Sequence, residues 1–263
     1  MDIVFVNVRN PYTKNESSPL GDRYHSYWDF WRIVELSEFK ICEFSEVNPQ
    51  SQTIYIIPHN DRVPDWFFDT PRTAKFILWQ VERYNLVDTR YDEIWFYDKT
   101  IHDLVVYPKA KYVFFGGDSR LMRVIDTPKI YDFFHMMHAH GRRQIMADDL
   151  ERRGFTLAPC PYDYEPKNLS MQQSRVGLCL HQDEMHFIEP FRYTVFSCYK
   201  LPLLCEPGNA TPFMTYSYEH FLRFNEPISH ITNWQDNYDL VTNKMPFKQC
   251  VLNALKDYDF SNL

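Results

Sequence analysis

Short apolar runs separated by polar or amphipathic stretches organise the first 110 residues of the chain. The run at residues 2–8 predicts a β-strand, and a helix is predicted next from an apolar face at helical spacing, formed by Tyr27, Phe30, Trp31 and Val34. Further apolar runs predict strands at residues 39–44, 53–58, 75–79 and 93–97, with loops or short helices between them. This alternation is typical of an α/β sheet.

The alternation becomes more regular after residue 110. Predicted strands lie at residues 112–115, 131–137, 155–158, 176–180 and 201–205, and predicted helices at 141–153, 167–174 and 190–199. A terminal helix is predicted from an apolar stripe that consists of Phe247, Val251, Ala254, Leu255 and Tyr258. Strands of this length joined by amphipathic helices indicate parallel βαβ units.

We therefore predict an α/β protein with two Rossmann-like domains that face a central cleft, and a C-terminal helix that packs back. The boundary is expected between residues 105 and 120. It divides the chain into an N-terminal domain at 1–110 and a C-terminal domain at 111–263 that includes the terminal helix. In open parallel sheets, ligands bind beyond the carboxyl ends of the strands, so candidate chemistry is sought in the turns that follow them.

Composition and charge narrow the class of protein. The chain has 28 basic and 35 acidic side chains, a net charge of −7, which argues against a surface built mainly to bind phosphate backbones. No apolar stretch approaches the roughly 18 to 20 residues of a membrane span, and the N-terminus lacks the pattern of a secretory signal. The six cysteines include no CxxC pair, so reduced, packed thiols and a cytoplasmic location are expected.

The turn after the predicted strand at 176–180 is rich in candidate ligand-binding residues, beginning with His181. Pro190 suits the first position of a helix, which places Glu189 at the helix N-terminus and Arg192 in its first turn, both away from the buried stripe. Glu189 either binds ligand hydroxyls or offsets the helix dipole, and the two alternatives stay open. Because the dipole disfavours a cation there, Arg192 suggests a bound anion. Glu206 ends the next strand.

A second candidate site lies at the start of the helix predicted at 141–153. Arg142 and Arg143 would form a phosphate pocket with the backbone N–H groups of that helix, unless they are simply a solvated basic face. Gly117, in a Gly-Gly turn, allows a close backbone approach. Adjacent helical side chains point in different directions, so at most one arginine is expected to reach a ligand.

Other motifs point away from several common functions. The sequence contains neither GxGxxG nor GxxxxGK[ST], which removes the usual dinucleotide-binding and P-loop interpretations. His135, His138 and His140 lie close in sequence but have no acidic partner at ligand spacing, so no metal site is predicted.

The chain resembles the two-domain GT-B glycosyltransferases, in particular compact glycosyltransferases of the group-1-like type. The residues that carry the resemblance are 76–82 (FILWQVE), 92–97 (DEIWFY), 112–118, the helix start at 141–143, and the segment from Glu189 through Arg192 to Glu206 and Pro207. Many retaining members have a second glutamate in this segment, but Ser197 stands eight residues after Glu189 here. Whether the anomeric configuration is inverted or retained is therefore left open.

The resemblance implies a glycosyltransferase that uses a nucleotide-sugar donor without a metal or other cofactor. Its donor would bind in the C-terminal domain and its acceptor in the N-terminal one. The implied donor-binding residues are Gly117, Arg142, Arg143, His181, Glu189, Arg192 and Glu206. Asp22 and His25 are the candidate general bases, with Glu82 behind them. The acceptor is a glycan, a small molecule or, less favoured by the charge, a hydroxymethylated DNA base. The alternative is a non-catalytic nucleotide-binding module with the same fold.

Overall fold

The computed structural model describes residues 2–7, 28–58, 63, 66–80, 87–136, 141–161, 164–181, 190–206 and 212–256. The chain forms two compact units. The first comprises Met1–Phe115 together with Phe247–Leu263, and the second comprises Gly116–Pro246.

The first unit is a parallel sheet with helices between its strands. The strands are β1 (Asp2–Asn7), β2 (Lys40–Glu43), β3 (Thr53–Pro58), β4 (Lys75–Gln80), β5 (Glu93–Phe96) and β6 (Ala110–Tyr112), in the order β2-β1-β3-β4-β5-β6. The connecting helices include α1 (Trp28–Leu36), α2 (Trp66–Asp69) and α3 (Lys99–Leu104). Strands β3 and β4 are buried along almost their whole length, which explains their unbroken apolar sequence.

The second unit has the same type of sheet. Its strands are β7 (Tyr131–Phe134), β8 (Leu157–Ala158), β9 (Ser174–Cys179), β10 (Leu203–Cys205) and β11 (Tyr216–Ser217), in the order β11-β10-β9-β7-β8 and all parallel. Its helices include α4 (Arg142–Arg152), α5 (Tyr164–Gln172), α6 (Pro190–Cys198), α7 (Tyr218–Phe224) and α8 (Trp234–Asp239), and a π-helical turn spans Leu240–Lys244. Both strand orders are of the doubly wound type, which confirms the predicted pair of Rossmann-like domains.

Two parts of the predicted secondary structure need correction. The strand expected at 112–115 is β6, which ends at Tyr112, while Val113, Phe114 and Phe115 continue as buried chain outside the ladder. Their apolar character reflects burial and not strand pairing. The apolar pattern predicts no elements between β10 and the terminal helix, because β11 has only two residues and the sequence around α7 and α8 is largely polar.

The terminal helix, α9 (Phe247–Ala254), lies with the first unit and not with the second, where the sequence analysis had included it. Phe247 is fully buried, and its ring is stacked on Trp79 with the ring centroids 5.6 Å apart. The rings of Phe115 and Phe5 surround it at 5.3 and 5.8 Å. One aromatic cluster thus joins the last helix to β1, β4 and the end of the first chain segment.

Helix α6 packs so closely on the second sheet that glycine is required beneath it. A Cβ atom at Gly177 in β9 would lie 2.6 Å from Cδ2 of Phe196, and one at Gly117 would lie 2.4 Å from Sγ of Cys198. A side chain at either position would force Phe196 or Cys198 of α6 to move. The depth of α6 therefore depends on these two glycines.

Within the described ranges, the structure contains no helix with the length and apolar character needed to cross a membrane. All six cysteines are free thiols, and Cys179, Cys198, Cys205 and Cys250 are buried, as the scattered spacing predicted.

We predict that Phe247→Ala lowers the free energy of unfolding by about 3 to 5 kcal/mol, because it leaves a cavity inside the aromatic cluster. The matched control is Leu252→Ala on the same helix, since Leu252 is 37% exposed. Leu252→Ala should lower the free energy of unfolding much less than Phe247→Ala does. Denaturant unfolding of the full chain, followed by circular dichroism, measures both variants. Equal losses would contradict the placement of α9 as a core element of the first unit.

Candidate functional site

The candidate site lies in the second unit, at the point where the strand order reverses between β7 and β9. Ligands of doubly wound sheets bind beyond the carboxyl ends of the strands on either side of such a point. His135 directly follows β7, His181 follows β9 by two residues, and Glu206 directly follows β10. The first turn of α4 lies at the same edge of the sheet, as the contacts of its two arginines show. We call this group of residues the switch-point crevice.

A two-pronged ion pair joins α4 to the end of β10. Nη1 of Arg142 donates to Oε2 of Glu206 at 2.8 Å, and Nη2 donates to the other carboxylate oxygen. Nη1 also donates to the backbone oxygen of His181 at 3.1 Å. The planar guanidinium is thereby held in one orientation, with 35% of the Arg142 side chain exposed, whereas the Glu206 side chain is 5% exposed.

The carboxylate of Glu206 remains ionised although it is buried. Burial by itself would raise its pKa, but hydrogen bonds from Arg142 and from the backbone N–H of His181, the latter at 2.6 Å, together outweigh burial. The pKa of Glu206 consequently lies below its ordinary value. The crevice therefore holds a fixed negative charge beside the Arg142 guanidinium.

The two adjacent arginines have different roles. Arg143 is 1% exposed, and its Nε donates to the backbone oxygen of Leu180 at 3.1 Å. This bond fastens the first turn of α4 to the chain just beyond β9. Arg142 is the more exposed of the two, and the expectation that at most one arginine reaches a ligand stays a prediction.

The start of α4 is unusual for a helix. Gly141 precedes it with φ of +56°, in the left-handed region that glycine favours, and provides no side-chain cap. The first turn has no acidic residue, although acidic side chains are favoured there by the helix dipole. Glu206, from a different element, supplies the missing negative charge.

His135 is a buried neutral base at the floor of the crevice. Its side chain is 4% exposed, and burial, followed by the charges of Arg192 and Arg143, lowers its pKa to about 3. Among the described residues, its Nε2 has no hydrogen-bond partner. The imidazole is thus uncharged at neutral pH and retains hydrogen-bonding capacity.

Of the three histidines near residue 135, the structure describes His135. His138 and His140 lie outside the described residues. In the part of the chain that the structure describes, no group of three or more His, Cys, Asp or Glu side chains is arranged to hold a metal ion.

The expected exposure of Arg192 is wrong. The side chain is 5% exposed, and Phe191 is the half-buried residue of α6 while the other eight are buried. The prediction assumed a helix with one buried stripe, but α6 is enclosed nearly all round. Arg192 is close enough to His135 to affect its pKa and so belongs to the same charged group.

Gly117 has a packing role that the sequence did not reveal. Its N–H donates to the backbone oxygen of Val241 at 2.9 Å, and its Cα faces the side chains of Cys198 and Thr194. A residue with a side chain would clash at this close approach, which explains why position 117 is a glycine. Its assignment to donor binding stays a prediction.

Several residues with predicted roles fall in the part of the chain that the structure does not describe. Asp22, His25, Glu82 and Glu189 lie outside the described residues, so their roles as bases or ligand contacts stay predictions. The structure brings together Arg142, His181 and Glu206 through direct hydrogen bonds, and it adds His135 as a neighbour of Arg192 and Arg143. A polar residue directly after an apolar strand is the signal that could have identified His135.

The first unit has buried polar residues at the corresponding strand ends. Asn7 ends β1 and Gln80 ends β4, with exposures of 4% and 1%. Asn7 donates from Nδ2 to Oε1 of Glu43 at 3.4 Å. Sequence reasoning missed both, although each is a single amide at the carboxyl end of an apolar strand.

Comparisons with known proteins bear on the fold. No protein-family model and no curated protein matches the sequence. The chain is similar to a structure of the Glycosylation Associate Protein (Gap123) complex from Streptococcus agalactiae, with a TM-score of 0.52 and 11% identity over 81% of this chain. It spans 55% of the length of that chain.

Two further structures show weaker likeness. An alpha1,3-fucosyltransferase has a TM-score of 0.49 at 12% identity, covering 98% of this chain and 91% of its own. TarM has a TM-score of 0.40 at 9% identity, covering 83% and 54%. At such identities only the fold is established, and the first likeness together with the two doubly wound sheets confirms the predicted GT-B-like fold.

We predict that Glu206→Gln lowers the free energy of unfolding at pH 7 by about 1 to 3 kcal/mol, because it removes charged hydrogen bonds inside the crevice. Since the pKa of Glu206 is depressed, its contribution is complete above an unfolded-state pKa of 4.5 and is lost as the pH falls through the lower folded-state value. The difference between wild type and variant should therefore shrink as the pH falls below 4.5.

Glu165→Gln is the control for this measurement, because it removes an exposed ion pair with Arg123. It should change stability little at any pH. Denaturant titrations between pH 7 and pH 3 follow both variants. A Glu206→Gln difference that stays constant down to pH 3 would show that the carboxylate is not stabilised in the folded state.

Proposed function

We propose that the protein is a glycosyltransferase that moves a sugar from a nucleotide-sugar donor to an acceptor hydroxyl, with the donor bound in the switch-point crevice. The observation that carries this proposal is the Arg142 guanidinium, partly exposed and held by Glu206 and the His181 carbonyl at the strand ends. A planar guanidinium fixed in this way is suited to bind phosphate oxygens through paired hydrogen bonds.

The charges of the crevice suit a diphosphate leaving group. Arg142, Arg143 and Arg192 contribute three positive charges, Glu206 one negative charge, and His135, with its pKa of about 3, none. The crevice is thus cationic in a chain whose net charge is −7. Fixed cations in a largely buried site stabilise negative charge without reorganisation during the reaction. We propose that these guanidinium groups, and not a metal ion, stabilise the departing diphosphate.

Neutral His135 adds a contact of another kind. An uncharged imidazole can accept a hydrogen bond from a sugar or ribose hydroxyl, or donate one to a phosphate oxygen, according to its tautomer. Its Nε2 lacks a partner among the described residues, so a donor hydroxyl would supply one. Glu206 and Glu189 are the proposed carboxylate partners of the remaining donor hydroxyls.

The transfer itself requires a base for the acceptor. We propose that Asp22 or His25, with Glu82 as the next candidate, takes the proton of the acceptor hydroxyl while its oxygen bonds to the anomeric carbon. The bond from that carbon to the diphosphate breaks, and the diphosphate leaves with the electron pair. The acceptor is a glycan, a small molecule or, less favoured, a hydroxymethylated DNA base, and the proposed location is the cytoplasm.

The first prediction concerns donor binding. The double variant Arg142→Gln with Glu206→Gln should weaken binding of nucleoside diphosphates and nucleotide sugars about 10- to 100-fold, because a charged hydrogen-bond donor is lost. Replacing both partners together avoids leaving a buried, unpaired carboxylate. Isothermal titration calorimetry on the full chain measures the affinity, and Arg152→Gln on the exposed side of α4 is the control.

Unchanged affinity in the double variant, with the chain still folded, would remove the crevice as the donor site. Tight binding of a nucleotide sugar without transfer to any acceptor or to water would instead favour the non-catalytic module. The two outcomes are separated by following a labelled sugar in the same samples.

The second prediction concerns the base. Asp22→Ala and His25→Ala should each be tested for transfer rate and for donor affinity. Loss of the base should lower the rate by about 100-fold or more while donor affinity is unchanged. Full activity in both variants would exclude these two residues and leave Glu82 as the next to test.

A further inference from the structure

A cavity of about 710 Å³ opens at the end of the second sheet opposite to the switch-point crevice. It is lined by residues that precede or begin the strands, including Lys129 before β7, Arg175 near the start of β9, and Lys200 and Pro202 before β10. Cavities of this size accommodate small organic ligands. We call it the amino-end cavity.

Positive charge predominates in the amino-end cavity. Four cations line it, Lys129, Arg153, Arg175 and Lys200, against two carboxylates. Both carboxylates are already engaged: Asp132 accepts from Nη1 of Arg175 at 2.9 Å and from the N–H of Thr156 at 2.8 Å, and Glu226 pairs with His220 at 2.8 Å and with Tyr216.

In the described part of the chain, no carboxylate pairs with either lysine of the cavity. Nζ of Lys129 donates to the neutral backbone oxygen of Ser174 at 2.6 Å, and Nζ of Lys200 lies 4.9 Å from the ring centre of Tyr238. Within the described residues, neither is in an ion pair. Partial burial, together with the charge of Arg175, lowers the pKa of Lys129, so a bound anion would reduce the repulsion between these two cations.

Lys200 is kept at a position that favours glycine. The N–H of Lys200 donates to the Ser197 oxygen and that of Leu201 to the Phe196 oxygen, which is the Schellman pattern at the end of α6. Lys200 has φ of +57°, a left-handed conformation that is unfavourable for a residue with a side chain. A strained residue whose cationic side chain lines a cavity is a reason to look for a ligand.

The lining of the amino-end cavity also includes apolar and aromatic side chains. Trp234 is half-buried, and Phe155, Ile231 and Pro202 lie among the lining residues. A half-buried indole offers a flat face on which a sugar ring or other ring can pack. The cavity therefore combines cations for an anionic group with a surface for a ring.

We propose that the amino-end cavity binds a phosphorylated organic ligand with a ring-shaped body, such as a sugar phosphate, at a site separate from the donor crevice. The phosphate would interact with Lys129, Arg175 and Lys200, and the ring would pack on Trp234. This site goes beyond the proposed transferase activity and does not depend on it.

Isothermal titration calorimetry of the full chain with glucose 6-phosphate, glucose and inorganic phosphate tests the proposal. We expect binding of the phosphate ester, weaker binding of inorganic phosphate and none of glucose, with affinity that falls as salt is added. Equal binding of glucose and its phosphate, no binding of either phosphate, or binding of an oligonucleotide without binding of glucose 6-phosphate would overturn it.

Lys200→Gly provides a test that separates binding from folding. It removes the cation and the left-handed strain together, so affinity for glucose 6-phosphate should fall about tenfold while the thermal midpoint is unchanged or raised. Arg175→Gln should weaken binding similarly, and Arg123→Gln, an exposed cation of the same unit outside the cavity, should not.

The crevice double variant, Arg142→Gln with Glu206→Gln, should keep its affinity for glucose 6-phosphate. If that variant loses binding while Lys200→Gly keeps it, the phosphate occupies the crevice and the amino-end cavity is not a site. Failure of the proposed transferase would leave the Lys200→Gly result unaffected.

Discussion

The buried carboxylate of Glu206 is the constraint on which the candidate site depends. A carboxylate with 5% exposure must be compensated, and its partners come from two other elements, the Arg142 guanidinium of α4 and the N–H of His181 beyond β9. The same pairing answers a need of α4, whose first turn has two arginines, no acidic residue and no side-chain cap. The ion pair between Arg142 and Glu206 thus compensates both the buried carboxylate after β10 and the positive charge in the first turn of α4.

The close packing of α6 on the second sheet also determines which charges lie at the crevice. Gly177 allows α6 to rest with Phe196 directly on β9, and Gly117 lets the chain pass against Cys198 on the same helix. Helix α6 is therefore enclosed, and Arg192 enters the interior with it, close to His135. Gly177 and Gly117 in this way determine where the charged side chain of Arg192 lies. If a methyl group at Gly177 or Gly117 displaced α6, Arg192 would move with the helix and the electrostatic field at the crevice would change.

The sequence predicted the architecture well because parallel strands such as β3 and β4 are buried on both faces and appear as unbroken apolar runs. It also identified Arg142, His181 and Glu206 as polar residues at helix starts and strand ends. Their pairing was not predictable, because contacts between residues 142 and 206 depend on strand order, which the apolar pattern does not contain. The burial of Arg192 was missed for a similar reason, since enclosure of α6 requires neighbours distant in sequence.

The two ends of the second sheet show how a chain with net charge −7 can present positive charge locally. At the carboxyl end, Glu206 orients Arg142 and leaves the group cationic. At the amino end, Asp132 is shared between Arg175 and Thr156, and Lys129 and Lys200 have no carboxylate partner among the residues that the structure describes. Glu206 holds Arg142 in position and Asp132 holds Arg175, but each of the two groups keeps a net positive charge. Local pairing geometry, and not net charge, therefore decides where positive charge is concentrated in the second unit.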